Sequence, residues 1–193
     1  MELIFVRHGQ GEHTLDVPES LHKIDPPLTD KGQKQARNLR KELPLTEEDL
    51  LVSSPVRRAL QTASIWSEGV DCLKVVSPFV GPRMFPQNPE WETLPCDELM
   101  DKEKVATAFQ EFRIHHGTLE TLWKRGINQK PKGEFELLAS ELIEWCKEQG
   151  KKEVYIVSHD GTITSYRQLL EQKTFSRSDF PAETGWEILH IAE

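Results

Sequence analysis

The chain has 193 residues, of which 37% are hydrophobic and 29% are charged. This balance is typical of a globular protein and excludes a disordered or collagen-like chain. Lys and Arg number 24 against 32 Asp and Glu, which gives a net charge of −8. The acidic excess argues against general nucleic-acid binding and against a polybasic membrane anchor, although a local cationic pocket can still bind an anion.

The sequence has no recognisable targeting segment and contains three cysteines. No apolar run approaches the roughly 18 residues of a transmembrane helix, and the N-terminus lacks the basic and long apolar segments of a signal peptide. Cys72, Cys96 and Cys146 are few and widely spaced, which fits reduced thiols better than a disulfide framework. We therefore expect a cytoplasmic protein without a membrane partner, with one domain over residues 1–193.

The first half of the chain alternates apolar runs with helical patterns. Three short apolar runs predict buried strands. They lie at residues 3–6, 50–52 and 73–76. Thr29 predicts the N-cap of a helix over about 30–43, and Ser54 followed by Pro55 predicts the start of a helix over about 55–68.

The second half begins with an irregular stretch. Residues 78–133 predict an insertion that caps one end of the sheet, and its part at about 98–113 has a helical pattern. An amphipathic helix over 134–149 follows, with Gly150 as its C′ residue. The remaining elements are a strand at 154–157, a helix at about 162–172 and a strand at 186–191. Strands that alternate with helices predict an α/β sandwich.

Two predicted strands end on the same pattern. LIFVRHG at 3–9 and EVYIVSHDG at 153–161 each run apolar and then place a histidine beside a turn glycine. Ligands of open α/β sheets bind at the carboxyl ends of the strands. His8 and His159 are therefore expected to meet in one pocket, whereas either histidine alone is more simply a surface-loop residue.

Arginines accompany these histidines. Arg7 directly follows a buried run and needs an anionic partner or open water. Arg57 and Arg58 lie in the first helical turn after the second strand, where the helix dipole favours an anion, and solvent-facing side chains are the alternative. Arginine matches phosphate oxygens with its planar fork, and a neutral imidazole can act as a nucleophile. The set therefore predicts transfer of a phosphoryl group to histidine.

Four segments carry a family resemblance. They are RHG at 7–9, PLTDKGQKQA at 27–36, SSPVRRALQTA at 53–63 and VSHDGTI at 157–163. In order and spacing they resemble the motifs of the histidine phosphatase superfamily, the phosphoglycerate-mutase-like proteins, along nearly the whole chain. The resemblance implies a three-layer α/β sandwich with a mostly parallel central sheet flanked by helices, and an inserted cap segment at about 78–133.

The resemblance also implies roles for single residues. His8 would carry the phosphoryl group, and Arg7 and Arg58 would bind its oxygens. His159 would stabilise the charge that develops in the transition state. Thr14 stands where many members have a phosphate-binding Asn, which is a departure from the family pattern. The phosphate-binding set expected here is Arg7, Gly9, Thr14, Arg58 and Arg83, the last taken from the unusual stretch GPRMFP.

The proton donor is the main departure. Most mutase-like members have a Glu shortly after the third strand, where this chain has Gly81 or Pro82. Asp160 directly follows His159, in the position that the acid-phosphatase branch uses for its donor, and it is the favoured candidate. The alternative is an acid of the insertion that folds back into the pocket. These acids are Glu90, Glu92, Asp97 and Glu98.

The favoured function is a phosphomonoesterase that hydrolyses a small phosphorylated metabolite through a phosphohistidine. A phosphoglycerate mutase is the second interpretation, disfavoured because the chain is shorter than typical mutases. A catalytically weak protein that binds phosphorylated ligands is the alternative from another class, and the intact histidines and arginines argue against it. His115 and His116 fit no zinc spacing, so we expect neither a metal nor a cofactor.

Overall fold

The computed structural model describes residues 1–191 and contains a six-stranded sheet. The strands are β1 (Glu2–Arg7), β2 (Leu50–Ser53), β3 (Leu73–Val76), β4 (Arg113–Ile114), β5 (Glu153–Ser158) and β6 (Trp186–His190). Their spatial order is β4-β3-β2-β5-β1-β6, and all neighbours are parallel except β6, which runs antiparallel to β1.

Helices connect these strands. They are α1 (Asp30–Glu42), α2 (Arg57–Trp66), α3 (Lys102–Ala108), α4 (Glu120–Arg125), α5 (Lys132–Glu148) and α6 (Asp160–Glu171). The predicted caps of two helices are confirmed: Thr29 accepts a hydrogen bond from the Gly32 amide at 3.0 Å, and Gly150 has a φ of +66° after α5. Within residues 1–191, the helices are too short or too polar to cross a membrane.

The sheet is covered on both faces, so the predicted sandwich is confirmed. Successive strand side chains point to opposite faces. In β1, Leu3 and Phe5 belong to the core beneath α5 and α6, whereas Ile4 and Val6 belong to the core beneath α1 and α2. Both cores consist of aliphatic and aromatic residues removed from water, which is the main stabilisation of such a fold.

The insertion between β3 and α5 packs into both cores. Phe109 and Trp123 join the core beneath α1 and α2, and Leu122 and Ile127 join the opposite core. The helix expected over 98–113 is shorter, because Asp101 caps α3 by accepting from the Lys104 amide at 2.8 Å. The chain then leaves the helix and adds β4 to the edge of the sheet.

The strand order decides where the polar loops meet. β1, β5 and β2 are adjacent, with Arg7 opposite Ser158 and Ser53 opposite Val157. Two backbone hydrogen bonds of 3.0 Å continue the sheet: the His8 amide donates to Ser158, and the Ser54 amide donates to Val157. Segments far apart in sequence therefore end side by side.

The loop after β1 lies directly on the first turn of α1. A Cβ on Gly9 would lie 2.6 Å from the carbonyl oxygen of Gly32, and a Cβ on Gly32 would overlap the Gln10 carbonyl oxygen. Both atoms belong to backbone, which cannot move aside as a flexible side chain can. Glycine at these two positions lets the strand end approach the helix.

We predict opposite effects of two glycine-to-alanine changes in helical first turns. Gly32→Ala should lower the free energy of unfolding by about 1–3 kcal/mol, because the new methyl group overlaps backbone. Gly133→Ala in α5 meets no atom within 4 Å and should raise it by up to about 1 kcal/mol. Urea unfolding of both variants tests this, and equal effects would contradict the close approach.

Candidate active site

Three histidines cluster at the carboxyl ends of the central strands. His8 follows β1 and His159 follows β5, and their side chains are 4% and 5% exposed. Their ring centroids are 5.0 Å apart, and His13 lies 5.6 Å from His8. The structure thus brings together the two histidines that the sequence predicted to meet.

The hydrogen bonds of His8 define its tautomer. Its Nδ1 lies 2.7 Å from the carbonyl oxygen of Gly9. A carbonyl oxygen only accepts, so Nδ1 carries the proton and Nε2 keeps its lone pair. The lone pair accepts a hydrogen bond of 3.2 Å from Nε of Arg58. The unprotonated nitrogen of His8 therefore faces the guanidinium cation of Arg58.

Arg58 is buried at the centre of the cluster, with 1% of its side chain exposed. Besides His8, its guanidinium donates to the carbonyl oxygen of Cys96 at 2.6 Å and to Oδ1 of Asp97 at 2.8 Å. Its Nη2 also lies 3.4 Å from Nδ1 of His159. One cation thus links the ends of β1 and β5 to the insertion.

Ser54 has a different role from the predicted one. The helix after β2 begins at Arg57, with Val56 as its N-cap and no side-chain cap. The prediction of Ser54 as N-cap is therefore wrong, because its hydroxyl instead lies 2.8 Å from Nε2 of His159. Since Arg58 can only donate to Nδ1 of His159, the Nε2–H of that ring donates to Ser54.

Arg7 and Asp160 form an ion pair beside the histidines. Nη2 of Arg7 lies 2.8 Å from Oδ2 of Asp160, and Nη1 donates to the carbonyl oxygen of Pro181 at 2.9 Å. The two side chains are 20% and 33% exposed, so the pair stands at the mouth of the cluster. Asp160 also accepts from the Gly161 amide at the start of α6.

Asp97 is the acid of the insertion that reaches the cluster. Burial raises the pKa of its carboxyl above the usual value, while the adjacent Arg58 acts in the opposite direction and the charge of Asp160 adds to the rise. Glu90, Glu92 and Glu98 are exposed. Sequence reasoning named Asp97 only as one of four alternatives, because no local pattern shows which acid folds back.

The histidines are held neutral. Burial lowers the pKa of His8 and of His159 well below the usual value, and the charge of Arg58 adds to this effect. Burial and Arg58 also lower the pKa of His13 to about 3. A neutral imidazole keeps the lone pair that a nucleophile needs. The Nδ1 atom of His13 is buried without a hydrogen-bond partner among residues 1–191.

Other predicted residues have different contacts. The Gly9 amide donates to Thr62 at 3.1 Å, and the Thr14 hydroxyl donates to the Gly11 carbonyl at 2.9 Å. Arg57 pairs with Asp25 at 2.5 Å. Thr62 and Ser54 were missed as site residues: both lie in the SSPVRRALQTA motif, but only its arginines received a role from the sequence.

Arg83 is directed away from the histidines. Its Nη1 donates to the carbonyl oxygens of Ile127 at 2.8 Å and Lys130 at 2.7 Å, within the insertion. Its guanidinium lies over the ring of Phe135. The structure therefore does not bring Arg83 into the cluster of His8.

The sequence profile of the histidine phosphatase superfamily (branch 1) matches residues 3–192, and the chain belongs to this family. The mostly parallel six-stranded sheet flanked by helices is the fold of this family. Part of the chain is 42% identical over 65 residues to a Schizosaccharomyces pombe protein named "Probable phosphatase". A stretch of 63 residues is 38% identical to phosphoserine phosphatase 1 of Hydrogenobacter thermophilus.

These two matches are local. Each match covers 33% of this chain. The first covers 30% of the yeast protein, and the second covers 29% of the bacterial protein. A solved phosphoserine phosphatase variant of Entamoeba histolytica, bound to phosphoserine, is similar over 97% of this chain and 89% of its own. Its sequence identity is 24% and its TM-score 0.61, so this likeness shows the fold alone.

We predict that the buried histidines make stability fall with acid. The pKa of His13 is about 3 in the folded protein against an ordinary 6.5, so the unfolded chain binds the proton first as the pH falls. The stabilisation is complete above pH 6.5 and decreases from there towards pH 3, by about 1.4 kcal/mol per pH unit.

His13→Gln should therefore flatten the dependence of the unfolding free energy on pH below 6.5. The control is His22→Gln, which replaces an exposed histidine. Denaturant unfolding between pH 7.5 and 4.5 measures both slopes. A slope in His13→Gln equal to that of the control would contradict a neutral buried imidazole.

Proposed function

We propose that the protein is a phosphomonoesterase that hydrolyses a small phosphorylated metabolite through a phosphohistidine on His8. The observation that carries this proposal is the tautomer of His8. Its Nδ1 proton is held by the Gly9 carbonyl, which leaves the Nε2 lone pair in contact with a buried guanidinium. A protein that only binds phosphate has no need of such a nucleophile.

The reaction has two balanced steps. The Nε2 atom of His8 forms a bond to phosphorus while the bond from phosphorus to the leaving oxygen breaks, and a carboxylic acid protonates that oxygen. Water then attacks the phosphohistidine, the phosphorus–nitrogen bond breaks, and the carboxylate accepts the proton of the water. The products are an alcohol and inorganic phosphate, and His8 is neutral again.

The side chains around His8 supply the charge stabilisation. Arg58 and Arg7 present N–H donors to the equatorial oxygens of the transferring group. A bound phosphate dianion would also favour the protonated form of His159, because an adjacent negative charge raises the pKa of an imidazole. We expect the reaction to need no metal, because Arg7, Arg58 and a protonated His159 would already supply positive charge to the phosphoryl group.

Asp160 is the proposed proton donor, as its position after His159 predicts. Its ion pair with Arg7 places the carboxyl at the mouth of the cluster, where a leaving group would depart. Asp97 is the second candidate, because burial raises the pKa of its carboxyl. A raised pKa keeps more of the acid protonated, which a proton donor requires.

We propose a small phosphate ester as the substrate, which the relatives named as phosphoserine phosphatases support. The net charge of −8 is the reason to expect neither a nucleic acid nor a membrane as partner. The three cysteines are buried and free, which supports a reducing compartment, and we propose the cytoplasm.

We predict that His8→Ala reduces turnover of a phosphomonoester to the background rate. Radiolabelled substrate, quenched rapidly, should label the wild-type chain on His8 with a group that acid removes and base does not. Rates should be the same in EDTA. His22→Ala is the matched control and should retain both activity and label. A label that persists in His8→Ala, or that survives acid, would refute the phosphohistidine.

The two carboxyl candidates differ in a testable way. An alkoxide is a poor leaving group that needs the acid, and nitrophenolate is a good one that does not. The donor's Asp→Asn variant should slow alkyl phosphate hydrolysis by about 10²–10⁴-fold and slow nitrophenyl phosphate hydrolysis much less.

We expect this selective loss in Asp160→Asn. Asp97→Asn also removes the carboxylate that pairs with Arg58. If Asp97 only positions Arg58, this variant should slow hydrolysis of both substrates equally. Single amide variants of Glu90 and Glu92 are the controls, since both residues are exposed. Equal losses in Asp160→Asn with a selective loss in Asp97→Asn would assign the donor to the insertion.

A further inference from the structure

A cavity separate from the histidine cluster opens between the start of α5, the second half of α6 and the loop that follows α6. Its volume is about 750 Å³, within the range of small-molecule sites. Its walls combine aromatic rings and cations. These are Phe85, Phe135, Phe175, Arg83, Lys132 and Lys173. His8, Arg58 and His159 are not among its lining residues.

Arg83 is the buried cation of this cavity, with 6% of the residue exposed. Its Nη1 has two carbonyl acceptors, but its Nε is buried without a hydrogen-bond acceptor among residues 1–191. Burial lowers its pKa only to about 10, so the guanidinium stays charged at neutral pH. The Nε atom has no accessible surface, so the donor that a ligand in the cavity could reach is Nη2, which also has no acceptor among residues 1–191. A charged donor without an acceptor favours a bound anion.

The charge of the cavity contrasts with that of the chain. The net charge of the chain is −8, yet the lining holds three cations and the single carboxylate of Glu136. Glu136 lies 3.8 Å from Lys132 at the rim, and no ion pair to Arg83 occurs among the described residues. Lys173 pairs with Glu171 at 3.1 Å, so Arg83 is the lining cation that has no carboxylate partner among the described residues.

The apolar walls define the rest of a ligand. The Arg83 guanidinium lies 4.2 Å from the centroid of the Phe135 ring, and Phe85 and Phe175 also line the cavity. A flat apolar group packed against these aromatic walls would be removed from water, while its anionic group would reach Arg83.

We propose that this cavity binds an organic anion with a flat apolar body, separately from the phosphoryl site. The Arg83 carbonyl packs against Gly161 at the start of α6, and Ser165, one turn further along, lines the cavity. The cavity thus lies further along α6 than Asp160, which is at the start of that helix. Binding of a ligand there would not require the reaction at His8.

Calorimetric titration of the full chain with naphthalenesulfonate tests this proposal. We expect saturable binding with one site per chain, unaffected by vanadate, which the proposed phosphoryl site would take. Neutral naphthol and inorganic sulfate, which each lack one half of the ligand, should bind at least about tenfold more weakly. Displacement of the sulfonate by vanadate would place it at His8 and overturn the proposal.

Three variants locate the site. Arg83→Met should weaken sulfonate binding about tenfold or more, and Arg177→Met is the control that removes an exposed arginine outside the cavity. Arg83 also donates to backbone carbonyls, so its loss could disturb the local structure. Thr174→Trp leaves Arg83 in place and fills the cavity from an exposed loop, and it must weaken binding as well. Unchanged affinity in Thr174→Trp, or no binding to the wild type, would overturn the proposal even if His8 proves to be the nucleophile.

Discussion

The buried guanidinium of Arg58 is the interaction on which the active-site cluster depends. It donates to both histidines, to a backbone carbonyl and to Asp97, so the ends of β1 and β5 and the insertion share one cation. Burial lowers the pKa of both imidazoles, and the charge of Arg58 lowers it further, because a proton on either ring would add a second positive charge in a site with little water. The proposed nucleophile and the proposed phosphate-binding cation are therefore in direct contact, and each affects the other.

The insertion completes this arrangement. Val80 and Gly81 accept hydrogen bonds from Ser158 and Thr162 at 2.8 Å and 2.7 Å, which ties the start of the insertion to β5 and α6. The insertion then returns to Arg58, which donates to the Cys96 carbonyl and pairs with the Asp97 carboxylate. The contact that positions Arg58 therefore comes from a segment far along the chain.

Several features of the fold were predictable because they depend on local patterns. Apolar runs predicted β1, β2, β3 and β5, and polar residues after them marked where a site would form. Thr29 predicted the start of α1 because an N-cap needs only its own next three residues. The pairing of His8 with His159 was predictable from a shared strand-end pattern, although their chemical roles stay predictions.

The sequence by itself therefore determined the alternation of strands and helices, the family, and the histidines and arginines that meet. Only the tertiary structure decided that Ser54 contacts His159 instead of capping a helix, that Asp97 folds back onto Arg58, and that Arg83 turns towards a second cavity. Local preferences act over a few residues, whereas these three contacts join residues 39 to 105 positions apart. Such contacts exist only once the sheet order and the path of the insertion bring the chain together.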